Sequence, residues 1–264
     1  MNYCNDALRR IGRAWGWVAA QFWATLLILL AGIGWTRLPD KHAWQVALTL
    51  LIPIVLLAAF LVLEAGTMRR LLGENGDREG KRAQFAVGAL TLVAWIAVVW
   101  VAWVILNWCD DQIPTWAGYL NSQAPVAMRA RMFTYEHIQN WLSILVWIFR
   151  WIALPGKVIP HAVASAQWGW RLPWRKLIRM LLNWRWWAAV VPAALVGVAL
   201  TGHFFSAEPH GTVAHQVWAV ILKLAGAYLL AVASWVLLLA WAAVLIARPR
   251  RAADREASET AAEG

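Results

Sequence analysis

The sequence predicts an all-α polytopic membrane protein, a six-transmembrane-helix bundle with amphipathic interfacial helices before the first and fifth spans. Three observations predict it. Six apolar runs stand at or near the length of about 20 helical residues that ~30 Å of hydrocarbon requires. Charge is scarce, with 14% of residues charged and 61% hydrophobic, where soluble domains carry roughly 25% charge. Tryptophan is abundant, 22 residues against seven phenylalanines, and indole settles in the headgroup zone, where its ring and its N–H are both satisfied.

The spans fall at 15–36, 44–66, 85–107, 138–154, 186–205 and 224–247. The fourth is the shortest. The first run has Asp6 upstream and no small-x-small site before Trp35, so the reading keeps it as a span and not a cleaved signal. Pro53 and Pro192 lie inside spans, where proline kinks a membrane helix without ending it.

Basic residues set the orientation. The N-terminus carries Arg9, Arg10 and Arg13, the loop 67–84 carries Arg69, Arg70, Arg78, Lys81 and Arg82, and the tail carries Arg248, Arg250, Arg251 and Arg255. The loop 155–185 adds Lys157, Arg171, Arg175, Lys176, Arg179 and Arg185, while the other three loops hold only Arg37, Lys41, Arg129 and Arg131. The positive-inside rule then places both termini in the cytoplasm of a bacterial inner membrane. The net charge of +10 does not point to nucleic acid, because these cations edge apolar runs and form no separate soluble face.

"RKLIRMLLNWRWWAAVVPAALVG" (175–197) is the cytoplasmic lead-in to the fifth span. Trp174, Leu177, Ile178, Leu181 and Leu182 recur at helical spacing, with Arg175, Lys176 and Arg179 on the other face. That pattern describes a helix lying on the inner leaflet, with Arg175, Lys176, Arg179 and Arg185 meeting anionic headgroups. Residues 3–13 repeat the design. "LRRIGRAWGWVAA" (8–20) aligns with "LIRMLLNWRWWAA" (177–189), matching at Leu8, Arg10, Trp15, Trp17, Ala19 and Ala20. An internal repeat of hairpins is one reading, and low-complexity Trp/Ala/Leu sequence is the other.

Residues 1–247 form a single six-helix membrane domain in this reading, and 248–264 a disordered cytoplasmic tail with little to bury. The glycine-rich, mixed-charge stretch 70–82 reads as a mobile loop. Residues 125–139 read as a helical extension of the fourth span, and the sixth helix as beginning near Thr212. Cys4 and Cys109 fall on opposite sides of the membrane, which excludes a disulfide between them.

No phosphate-binding loop, zincin, paired Cys-x-x-Cys or nucleophile-elbow motif occurs. His203, His210 and His215, with Asp110 and Asp111, fall on the outer side and are the weak candidates for a metal site. Their spacing matches no single helical face, so no metal and no cofactor is expected. Lys223 snorkels from a helix longer than the bilayer. Ala189, Ala193, Gly197 and Thr201 form a small-residue ridge for close helix packing, within the bundle or across a homodimer. Glu64 and Arg150 are assigned similar depths at the cytoplasmic ends of the second and fourth spans, where an ion pair would satisfy both.

The function expected is that of a non-catalytic scaffold or accessory subunit. The alternatives are a small-molecule or lipid transporter and a membrane-embedded enzyme acting on lipid headgroups. The partners expected are the bilayer with its anionic headgroups, and a membrane protein or a second copy of the chain. Reporter fusions at Gly118 and Gly211 are expected to report a periplasmic location, and a cytoplasmic signal at either would overturn the orientation.

Overall fold

The computed structural model describes residues 3–38, 41–73, 79–129, 133–206 and 212–262; 79–86, 248–262, Ala127, Gln167 and Lys176 are described by backbone alone. The elements are α1 (Tyr3–Arg13), α2 (Trp15–Trp35), α3 (Ala43–Leu72), α4 (Glu79–Gln123), α5 (Val126–Arg129) and α6 (Tyr135–Ile148). A π-helical turn, Phe149–Ala153, joins α6 to α7 (Leu154–Trp168), and α8 (Trp174–Leu181) and α9 (Trp184–Ala194) follow. A second π-helical turn, Leu195–Leu200, leads to α10 (Thr201–Ser206), and α11 (Val213–Ala262) ends the chain.

Six helical segments are long and apolar enough to cross a membrane: Trp15–Trp35, Ala43–Leu72, Val87–Gln123, Tyr135–Ala166, Trp184–Ser206 and Val213–Ala247. The chain is a multi-pass membrane protein whose apolar flanks, such as Leu27, Leu50, Ile54 and Trp100, stand exposed to lipid. Several boundaries differ from the sequence reading. The third segment runs on to Gln123 instead of ending at 107, through Pro114. Ile113 and Ala117 are buried there and Trp108 packs edge-on against Trp116, so the helix continues on its own apolar stripe. The fourth runs on to Ala166, with Pro160 inside a helix. The helical extension expected over 125–139 is broken into α5 and the first turn of α6, because extended Thr134 caps a fresh helix by accepting from the His137 backbone N–H. The last helix reaches Ala262, through the stretch read as a disordered tail. Alanine, glutamate and arginine dominate that stretch and favour helix. The loop read at 70–82 is helical to Leu72 and again from Glu79, and 74–78 lie outside the described residues.

By internal packing the chain forms two compact units and not one: Met1–Val93 with Ile159–Gly264, and Ala94–Val158. In the first unit α2 and α3 make an antiparallel hairpin against α11, and α1 packs on α11 with Ala7 fully buried. Gly88 near the start of α4 approaches the Ala166 backbone of α7; a Cβ there would stand 3.5 Å from the Ala166 Cα. The second unit is built from the later part of α4 and from α5 and α6, with Ile113, Ala117, Ala124, Ile138 and Val146 buried.

The two aligned stretches share a structural device. Ala14 and Asn183, matched by the alignment, each separate a short helix from the following span. Asn183 is extended and its side chain accepts from the Arg185 backbone N–H, capping α9. Each of the two stretches is therefore a lead-in helix, a one- or two-residue corner and the start of a membrane-crossing segment.

The α2–α3 contact is closest at Gly66, where a Cβ would lie 2.5 Å from the Trp17 ring. Gly66→Ala is expected to displace that indole and lower stability by about 1–3 kcal/mol, read as a lower melting temperature in detergent. Gly32→Ala, where a Cβ meets nothing within 4 Å, is expected to leave it unchanged or slightly raised.

Candidate functional site

Along the α2–α3 hairpin, polar side chains meet in register. As α2 ascends through Trp17, Gln21 and Trp35, α3 descends through Thr67, Glu64 and Thr49. Trp17 Nε1 donates to Thr67 Oγ1 at 3.0 Å, Gln21 Nε2 to Glu64 Oε1 at 2.9 Å, and Trp35 Nε1 to the Thr49 carbonyl at 2.8 Å. From α11, Trp235 Nε1 donates to Glu64 Oε2 at 3.0 Å. Both carboxylate oxygens of the buried Glu64 are thus held by neutral N–H donors from two other helices. Tyr228 of α11 donates to the Phe22 carbonyl, a second tie between α11 and α2. Gln21 Oε1 is buried with no hydrogen-bond partner among the described residues.

The second unit has its own charge centre. Arg150, in the first π-helical turn, pairs with Asp110 at 3.0 Å, donates to Asn107 Oδ1 at 3.0 Å, and stands 5.2 Å from the Trp103 ring centre. Trp103, Asn107 and Asp110 recur at four and three residues on one face of α4. The Glu64–Arg150 pair expected from sequence is therefore corrected: each charge is engaged by other residues inside its own unit, with Arg150 Nε buried and without a hydrogen-bond partner among the described residues. The error came from ending the fourth span at 154. The helix continues to Trp168, which puts Arg150 near the middle of a segment and not at its cytoplasmic end.

The other candidates fall as follows. Ala189 and Ala193 are buried, and a Cβ on Gly197 would stand 3.1 Å from Ser234 Oγ on α11. The ridge thus lies against α11 of the same chain through these residues, and the Thr201 hydroxyl is buried without a hydrogen-bond partner among the described residues. Arg175 and Arg179 are exposed, whereas Arg185 donates to the Tyr3 hydroxyl at 2.6 Å and stacks over the Tyr3 and Trp184 rings. The Lys176 side chain and His210 lie outside the described residues. His203 is exposed, His215 bonds Thr212 at 2.9 Å, Asp111 is exposed and Asp110 pairs with Arg150. No group of three His, Cys, Asp or Glu suited to a metal occurs among the described residues. Cys4 and Cys109 are free thiols.

Sequence reasoning missed Gln21, Trp235, Asn107 and Trp103. A lone amide inside an apolar run was the available signal at Gln21, and the i, i+4, i+7 spacing was the signal on α4. No family model, curated protein or solved structure matches the chain.

Chemically, these centres hold helices together. Glu64→Leu is expected to strand the Gln21 amide and the Trp235 N–H and to cost about 1–3 kcal/mol for each donor left unmade. Glu64→Gln keeps an acceptor for one donor and an amide for Gln21 Oε1, so its cost is expected below about 1 kcal/mol. Denaturant-unfolding midpoints of the two purified variants check the difference.

Proposed function

We propose that this chain is a non-catalytic scaffold or accessory subunit of a bacterial inner membrane, with both termini in the cytoplasm. One observation supports the reading most directly. Two charged groups within the spans are engaged with other helices of their own unit: Glu64 with Gln21 and Trp235, and Arg150 with Asp110 and Asn107. A transporter needs such groups turned to a shared path, and an enzyme needs them converging on a reacting bond.

The bias of Lys and Arg towards the termini and the loops 67–84 and 155–185 supports the orientation. Exposed Arg175 and Arg179 on α8 support contact with anionic headgroups, Leu177 and Met180 being buried on its inner side. For a membrane-protein partner or a second copy, the candidate surface is an apolar groove of about 560 Å³ between α1, α2 and α11, with Trp15, Trp23, Leu229 and Leu237 in its walls.

Photocrosslinkers placed at Trp23 and Leu229 are expected to give one discrete protein adduct in native membranes. Solute uptake into liposomes containing only this chain, abolished by Glu64→Gln, would overturn the scaffold reading in favour of a transporter.

A further inference from the structure

The corner between α1 and α2 opens into a cleft of about 500 Å³, distinct from the apolar groove above. Its walls come from three places: Arg10 and Arg13 at the end of α1, Gly16 and Trp17 at the start of α2, and Arg70 to Gly73 at the end of α3. Among the described residues, three that bear guanidinium groups line it and no acidic residue does.

The cleft is held in shape by contacts already formed. Arg10 Nη1 donates to the Leu71 carbonyl at 2.6 Å, binding α1 to the last turn of α3. The Trp17 indole is fixed through Thr67, and the Arg70 guanidinium stands 5.7 Å from its ring centre. Arg13 and Arg70 are exposed. Gly16 leaves room, since a Cβ there would meet nothing within 4 Å.

Depth identifies the ligand's source. Gly16 and Trp17 open the first membrane-crossing segment and Leu71 and Leu72 close the second. The cleft is therefore level with the headgroup boundary on whichever side the N-terminus occupies. A phosphate there would meet planar guanidinium donors suited to its oxygens, while acyl chains continued along the apolar flank of α2. The alignment provides an internal comparison. Arg179, the counterpart of Arg10 in the alignment, lines a cleft of about 220 Å³ with Leu177, Met180, Leu245 and Ile246, and there it is the sole charged residue among the described walls.

We propose that the α1–α2–α3 cleft is a binding site for the phosphate headgroup of an anionic phospholipid, with Arg13 and Arg70 as its charged contacts and Trp17 as its floor. This goes beyond the scaffold reading and depends only on the chain being in a membrane.

Native mass spectrometry of the purified full chain, titrated with phosphatidylglycerol in neutral detergent, tests it. The double variant Arg13→Gln, Arg70→Gln is expected to weaken binding of the first lipid about tenfold or more. Gly16→Leu, which fills the cleft and leaves every arginine in place, is expected to do the same. Arg37→Gln with Arg171→Gln, an equal loss of charge at exposed arginines outside both the cleft and α8, is expected to leave first-lipid binding unchanged. The proposal is overturned if that pair weakens binding as much as the cleft pair, or if Gly16→Leu binds normally. It is also overturned if inorganic phosphate alone competes as tightly as the lipid, which would mark a soluble ligand.

Discussion

A carboxylate removed from water must find donors or lose its charge, and inside a bilayer the donors have to come from other helices. Glu64 meets that demand with one amide from α2 and one indole from α11. Because the two donors approach opposite oxygens, rotating either helix about its axis would break a bond. The remaining ties along α2 then fall into step: Trp17 reaches Thr67, and Trp35 reaches the Thr49 carbonyl. Gly66 is without a side chain where the Trp17 ring crosses it. The second unit solves the converse problem, a half-buried guanidinium, with a carboxylate, an amide and an aromatic face from a single helix.

What could be read in the chain follows from the range of each force. Burial of apolar length is local, so the six membrane-crossing segments are visible in hydropathy. So is the break at Asn183, where alternating basic and apolar residues give way to a continuous apolar run. Helix ends were read less well, the third span being ended at 107 and the fourth at 154, short of where the helices run. In hydrocarbon an interrupted helix has nothing better to do with its backbone than continue, and Pro114 and Pro160 both lie within helices. Partner choice was not legible. Depth narrows the candidates for Glu64 but leaves several helices open, and only packing selects α2 and α11. Opposite charge pointed to Arg150, while the actual donors are neutral side chains that carry little weight in a sequence.

Arg185 shows the same limit at the membrane surface. Its position at the head of the fifth span reads as a lipid contact, yet it is stacked on Tyr3 and bonded to the Tyr3 hydroxyl. Tyr3 in turn stacks on Trp241 of α11. The N-terminal helix is thereby joined to the head of the fifth membrane-crossing segment, an arrangement that needs residues 182 positions apart. The cations left at the surface of the first unit include Arg13 and Arg70, beside the cleft that separates α1 from the end of α3.

The π-helical turn at Leu195–Leu200 has a further consequence. Four-residue steps overshoot a full α-helical turn by about 40°, so a ridge built on them winds steadily away from its neighbour. A π turn holds more residues per revolution, and the same four-residue step falls short of a revolution there. Ala189 to Ala193 is taken in ordinary helix, whereas Gly197 lies in the widened stretch. The two errors oppose one another, and the ridge is steered back towards α11 at the point where Gly197 meets Ser234. Structurally the turn holds about one residue more than a plain α-helical turn. Deleting one residue within it would restore a plain helix but swing His203, Phe204 and Phe205 about 100° around the axis, giving the outer end of this segment a different face to present.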